Sequence, residues 1–308
     1  MMNHHNRIAI GGPLLVLAAA VLWGTTGTAQ AFAPEGATPL SVGTVRLVIG
    51  GLALVFLVQA RGKLTDIRSY PPRPTILAAV GIAAYQLCFF AGVSRTGVAV
   101  GTIVGIGSAP IMAGLLEWLV YGERPGRRWL LATTFALLGC ILLVVAGSRL
   151  DIDPLGIVLA LGAGFSYAVY TMASKAILPG RSPDAVMAVI FALGAIILLP
   201  TLFFASHRWI LEPVGLIVAL HLGLVTVALA YILFGRGLVT VPVSTTVTLT
   251  LAEPLTAAVL GILVLGEKLS PLAAIGAGFI LFGLVVLTQG YRADQKKRSS
   301  RHYSSTSM

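Results

Sequence analysis

The sequence predicts an all-α integral membrane protein: ten transmembrane helices as two inverted five-helix repeats. Three observations predict it: a composition too apolar for a water-facing surface, ten apolar runs of spanning length, and a residue pattern that recurs 144 positions later.

Composition excludes several classes at once. Hydrophobic residues make up 57% of the 308 positions and charged ones only 10%, with a mean hydropathy of +0.93. A soluble domain carries about 25% charged residues, so this chain lacks the charge to coat itself in water. Its 35 glycines suit helices that approach closely within a bilayer. The net charge of +10 does not point to nucleic acid, because the charges sit in short loops between apolar runs and in a basic tail. There Lys296, Lys297, Arg298 and Arg301 suit contact with anionic lipid. Cys88 and Cys140 lie inside apolar runs, so neither a disulfide framework nor a metal site is expected. No cofactor is expected either.

About 20 mostly apolar residues span the hydrocarbon core. Ten such runs occur, at roughly 10–31, 39–60, 74–93, 97–120, 128–147, 155–177, 184–204, 213–235, 241–265 and 271–290. Pro39, Pro74, Pro154, Pro183, Pro213 and Pro271 lie near helix starts, where a missing N–H costs nothing. With the N-terminus in the cytoplasm, sixteen Lys and Arg fall on the cytoplasmic side and four outside. Arg46, inside a span, is the remaining one. The positive-inside rule therefore predicts a multi-pass protein of a bacterial-type inner membrane with both termini cytoplasmic. Ala29-Gln30-Ala31 after the first apolar run also mimics a signal-peptide cleavage site. The repeat argues against that reading, because it pairs the first helix with the sixth.

A shift of 144 residues places Thr96 on Thr240, Pro110 on Pro254, Gly122 on Gly266, Glu123 on Glu267 and Gly139 on Gly283. Trp23 lands on Tyr167. Five helices per copy is an odd number, so the second copy enters the membrane upside down. Inverted repeats of this kind mark secondary transporters, with the substrate site near the midplane. The expected organisation is a cytoplasmic segment 1–9, repeats at 10–147 and 155–290, and a disordered basic tail at 291–308.

Trp23-Gly24, Arg46 and Gly122-Glu123-Arg124 resemble the first EamA-type unit, and Glu253-Pro254 with Gly266-Glu267-Lys268 resembles the second. The chain is thus similar to the ten-helix EamA-type transporters of the drug/metabolite transporter superfamily along nearly its whole length. Within that superfamily the YddG-like exporters of aromatic amino acids are the subgroup it resembles first.

Candidate site residues follow from depth and chemistry. Glu253 sits mid-span, where a carboxyl group usually faces a cavity or a partner. It serves either a substrate amine or a proton, or it is a protonated acid bonded to a neighbouring helix. Pro254 and its counterpart Pro110 are expected to kink their helices. Trp23, Tyr85, Tyr167, Tyr170 and Tyr231 all fall near half depth and together suit an apolar-walled pocket for flat or cationic solutes. On the hydroxyl-rich ninth span, Thr246 and Thr250 are the residues expected to face the pore. Arg46, Glu117, Glu123 and Glu267 are expected in charge pairing or gating, Glu117 with an arginine of the following loop. His221 is expected to be hydrogen-bonded within the bundle.

The expected function is export of amino acids, aromatic ones favoured, or of related small metabolites, by alternating access. The partners are a small-molecule substrate and the lipid bilayer. A facilitative exporter or a permease for another solute class is the alternative. An integral-membrane enzyme would need clustered His, Asp or Glu at one face, and a channel would need a pore loop; neither pattern occurs.

Overall fold

A computed structural model of the protein describes residues 4–63, 66–122, 124–145, 153–266 and 270–305. The described backbone is mostly helical, and no strand occurs in it. In chain order the long helices are α1 (His4–Ala31), α2 (Pro39–Ala60), α3 (Pro72–Gly97), α4 (Val100–Tyr121), α5 (Arg127–Val145), α6 (Pro154–Ile177), α7 (Pro183–Leu198), α8 (Pro213–Leu238), α9 (Val243–Leu265) and α10 (Pro271–Ser305). Among the described residues nine helices are long and apolar enough to cross a membrane; α5, with 19 residues, is a further helix.

Several boundaries differ from expectation, each for a local reason. α3 begins at Pro72 rather than Pro74, with Pro71 in extended backbone before it. α3 and α4 form one rod broken at Gly97, whose φ of +78° leaves the helical region. Pro110, expected to kink α4, is accommodated inside it while the break falls at Gly97. Pro254 acts differently. It has no N–H for the Thr250 carbonyl, and Glu253 N–H takes that carbonyl at 2.9 Å instead. As a result α9 is split into Val243–Leu249 and Ala252–Leu265. α8 contains a nine-residue π-helix, His221–Leu229. α10 continues to Ser305, where a disordered tail is expected; its Lys, Arg and Gln residues are good helix formers.

Gly122 and Gly266 close α4 and α9 in the left-handed conformation, with φ of +71° and +70°. That backbone conformation suits glycine at helix ends. Glu123 and Glu267, which follow them, lie outside the described residues.

Close helix pairs recur across the two halves. A Cβ on Gly50 (α2) would lie 2.8 Å from the Gly223 carbonyl oxygen of α8, and one on Gly194 (α7) would face the Ala79 carbonyl of α3. Likewise a Cβ on Gly139 (α5) would meet the Gly276 carbonyl of α10, and one on Gly283 (α10) the Ala132 carbonyl of α5, each at 2.5 Å. Moving both members of the first contact by 144 and exchanging halves gives the second, in both cases. The shared core holds Leu47, Ile82, Tyr170, Met187, Phe191 and Phe234, all fully buried.

Candidate functional site

A cavity of about 500 Å³ lies inside the bundle, within the size range of small-molecule sites. Its walls come from α1, α2, α3, α4, α5, α6, α8 and α9, so both halves contribute. It runs from mid-depth, at Arg46 and Glu253, toward the end of the bundle where Gln30 lies in the last turn of α1 and Pro39 begins α2.

Local breaks bring the polar residues to this space. The interruption of α9 before Pro254 sets Thr250 and Glu253 on the cavity wall. Gly24 lets α1 lie against that break, since a Cβ there would sit 2.8 Å from the Glu253 carbonyl oxygen. Trp23 is thereby held beside the cavity, and its indole N–H donates to the Thr226 carbonyl in the π-helix at 2.8 Å. π-helical turns are frequent at functional sites. His221, at the start of the same π-helix, is hydrogen-bonded to Thr25 at 2.8 Å.

The aromatic residues form a continuous cluster. Ring centroids of Trp23 and Tyr231 are 4.8 Å apart, those of Tyr85 and Tyr167 5.3 Å, and those of Tyr167 and Tyr170 5.8 Å. Trp23, Tyr85, Tyr167 and Tyr231 line the cavity. Tyr170 stands behind them, fully buried, with its hydroxyl directed at Met187 Sδ (3.3 Å). Thr250 lines the cavity, whereas Thr246 is packed away from it and fully buried. The two share a helical turn, the Thr250 N–H donating to the Thr246 carbonyl at 3.3 Å, so the difference is one of depth: Thr246 lies one turn nearer the start of α9, beyond the floor of the cavity.

Two side chains of opposite formal charge face this space. Arg46 is only 8% exposed and Glu253 is half-buried, and both line the cavity within electrostatic reach of each other. Neither side chain makes a hydrogen bond or an ion pair within 4 Å to a described residue, and Arg46 Nε is buried without a partner. The Tyr167 hydroxyl on the same wall is also buried and unpartnered. Sequence reasoning missed Gln86, Phe89, Gln30 and Thr102 on the wall. Gln86 had a usable signal, as a polar residue beside Tyr85 in an apolar run.

The opposite end of the bundle is sealed by polar contacts. Arg236 Nε and Nη2 donate to Asp184 at 2.8 and 2.7 Å, and Arg61 Nη1 approaches the same carboxylate at 3.3 Å. Glu117 is not paired with an arginine as expected. It accepts the backbone N–H groups of Val243 and Ser244 at the start of α9. Lys175 donates to the Leu238, Val239 and Val241 carbonyls at the end of α8. The α8–α9 turn is therefore held by an acid at its amide end and a cation at its carbonyl end. Among the described residues no group of three or more His, Cys, Asp or Glu is placed to hold a metal.

A family model for EamA-like transporters matches the chain twice, over residues 10–145 and 154–289. The chain belongs to the EamA-like transporter family. This EamA-like chain is 47% identical over 291 residues to the uncharacterized transporter YwfM of Bacillus subtilis (strain 168), covering 94% of this chain and 98% of that one. It is 27% identical over 289 residues to the threonine/homoserine exporter RhtA of Escherichia coli (strain K12), covering 92% of each. A solved crystal structure shares the fold at a TM-score of 0.80 and 21% identity, over 92% of this chain and 98% of that one. The EamA-like chain is accordingly a multi-pass membrane transporter of the drug/metabolite transporter superfamily.

Proposed function

We propose that this transporter exports amino acids, aromatic ones preferentially, across a bacterial-type inner membrane by alternating access. The observation that carries the reading is the central cavity, walled by both halves, extending to one end of the bundle and sealed at the other. A solute site with one closed side is what alternating access requires. The exporter name borne by the Escherichia coli relative supports amino acids as the class, and the ring-lined wall supports a preference for aromatic side chains.

The layout in this reading is ten spans in two inverted five-helix halves, 10–147 and 155–290. Its support is the reciprocity of the Gly50–Gly223 and Gly194–Ala79 contacts, and of Gly139–Gly276 and Gly283–Ala132. A pseudo-two-fold axis produces such exchanged pairs. Loop charge supports both termini in the cytoplasm. The sealed end, with Asp184, Arg236 and Lys175, is then cytoplasmic, and the cavity faces outward. Inward opening breaks the contacts that Glu117, Lys175 and Asp184 make with α8 and α9.

Accumulation and efflux of a labelled amino-acid panel, in cells with and without the protein, tests this function. Lower intracellular retention of aromatic amino acids in expressing cells is expected. Identical retention of every solute in both strains would overturn it.

A further inference from the structure

We infer that Arg46 and Glu253 together form a zwitterion site, in which Arg46 takes the α-carboxylate and Glu253 the α-ammonium of one bound amino acid. The inference deepens the transport reading and rests on it, because it assigns ligand chemistry to the same cavity.

Four observations carry it. Both charges line one cavity, on opposite halves of the chain. They are not paired with each other, nor with any described residue. Arg46 is more than nine-tenths buried, yet its Nε has no acceptor, and a guanidinium is shaped to hold a carboxylate through two parallel N–H bonds. The Tyr167 hydroxyl supplies a further unused donor on the same wall.

Charge balance selects the ligand. A simple amine would satisfy Glu253 and leave Arg46 unmatched in a low-dielectric space. A simple carboxylate would do the reverse, and Glu253 would repel it. A zwitterion satisfies both while adding no net charge, so its desolvation is compensated at each end. The rings of Trp23, Tyr85 and Tyr231 then surround the side chain rather than the charged head.

The test compares three probes with the same ring: L-phenylalanine, 2-phenylethylamine without the carboxylate, and 3-phenylpropanoate without the amine. Binding to the purified full-length protein in nanodiscs is measured by calorimetry. L-Phenylalanine is expected to bind at least tenfold more tightly than either truncated probe. Arg46→Gln should remove the advantage over the amine, and Glu253→Gln the advantage over the carboxylate, each leaving the other discrimination in place. Either truncated probe binding as tightly as L-phenylalanine to the wild-type protein would overturn the site, and this arm needs no variant to fold. Equal loss of all three probes in both variants would overturn it as well. The transport reading is judged apart, by flux of the amino-acid panel into proteoliposomes. Flux with no zwitterion preference sinks the site alone, and absence of any flux sinks the reading beneath it.

Discussion

The Glu117 carboxylate accepts the backbone N–H of Val243 at 2.9 Å, across 126 residues of sequence. An acid from the first half thus caps a helix of the second, and its other oxygen takes Ser244 N–H at 3.1 Å. An anion at a helix N-terminus satisfies orphan amides and complements the helix dipole. Because Glu117 is on α4 and the cap is on α9, the contact ties the two halves together at the sealed end.

Glu117→Gln removes the charge and one of the two acceptors. Loss of a helix cap costs about 0.5–2 kcal/mol, so the variant should melt several degrees lower in detergent. Glu117→Ala should melt lower still. Unchanged melting in both would show that the cap contributes nothing to stability.

Asp184 is nearly buried, with 4% of its side chain exposed, while Arg236 and Arg61 remain half-exposed. Asp184→Asn weakens charge-assisted hydrogen bonds worth about 1.5–3 kcal/mol and leaves two arginines facing each other. The sealed end should open more often. A cysteine replacing the fully buried Ser174 should then react faster with a membrane-permeant maleimide in the Asp184→Asn background than in its absence. Equal labelling rates would separate the Asp184 network from opening.

The aromatic wall predicts a graded loss of affinity. Trp23→Ala, Tyr85→Ala and Tyr231→Ala each remove one ring contact, worth about 0.5–1.5 kcal/mol beyond area. That is about a twofold to tenfold weakening for an aromatic amino acid, with a smaller effect on threonine. Phe56, 75% exposed on α2, is the control. Trp23→Phe keeps a ring but loses the hydrogen bond to Thr226, so it should fall between wild type and Trp23→Ala. Equal losses for all solutes, the Phe56 variant included, would mean that the rings only hold helices together.

Loop charge predicts the topology. In a background lacking Cys88 and Cys140, cysteines at Glu35 and Ser270 should react with an impermeant reagent added to intact cells, and those at Arg68 and Arg127 should not. Reaction at Arg127 from outside would falsify the assigned orientation.

Much of the fold is legible in the amino-acid sequence alone. Apolar runs of spanning length report directly on the bilayer, whose thickness sets their size. The 144-residue repeat is visible in Gly122 and Gly266, which end their helices in the same left-handed conformation. Depth along a span is legible as well. It groups Trp23, Tyr85, Tyr167 and Tyr231, whose rings meet around the cavity.

Which face of a helix looks inward is another matter. Rotation about each helix axis is set by packing against several neighbours at once, so Gln86 and Phe89 reach the cavity while Tyr170 does not. The π-helix in α8 and the break in α9 change phase partway along a span, and hydropathy does not register phase. Glu117 is the clearest case. Its partners are backbone amides, which every residue but proline possesses, so no side-chain pattern marks them, and only the meeting of α4 with α9 decides where the carboxylate goes.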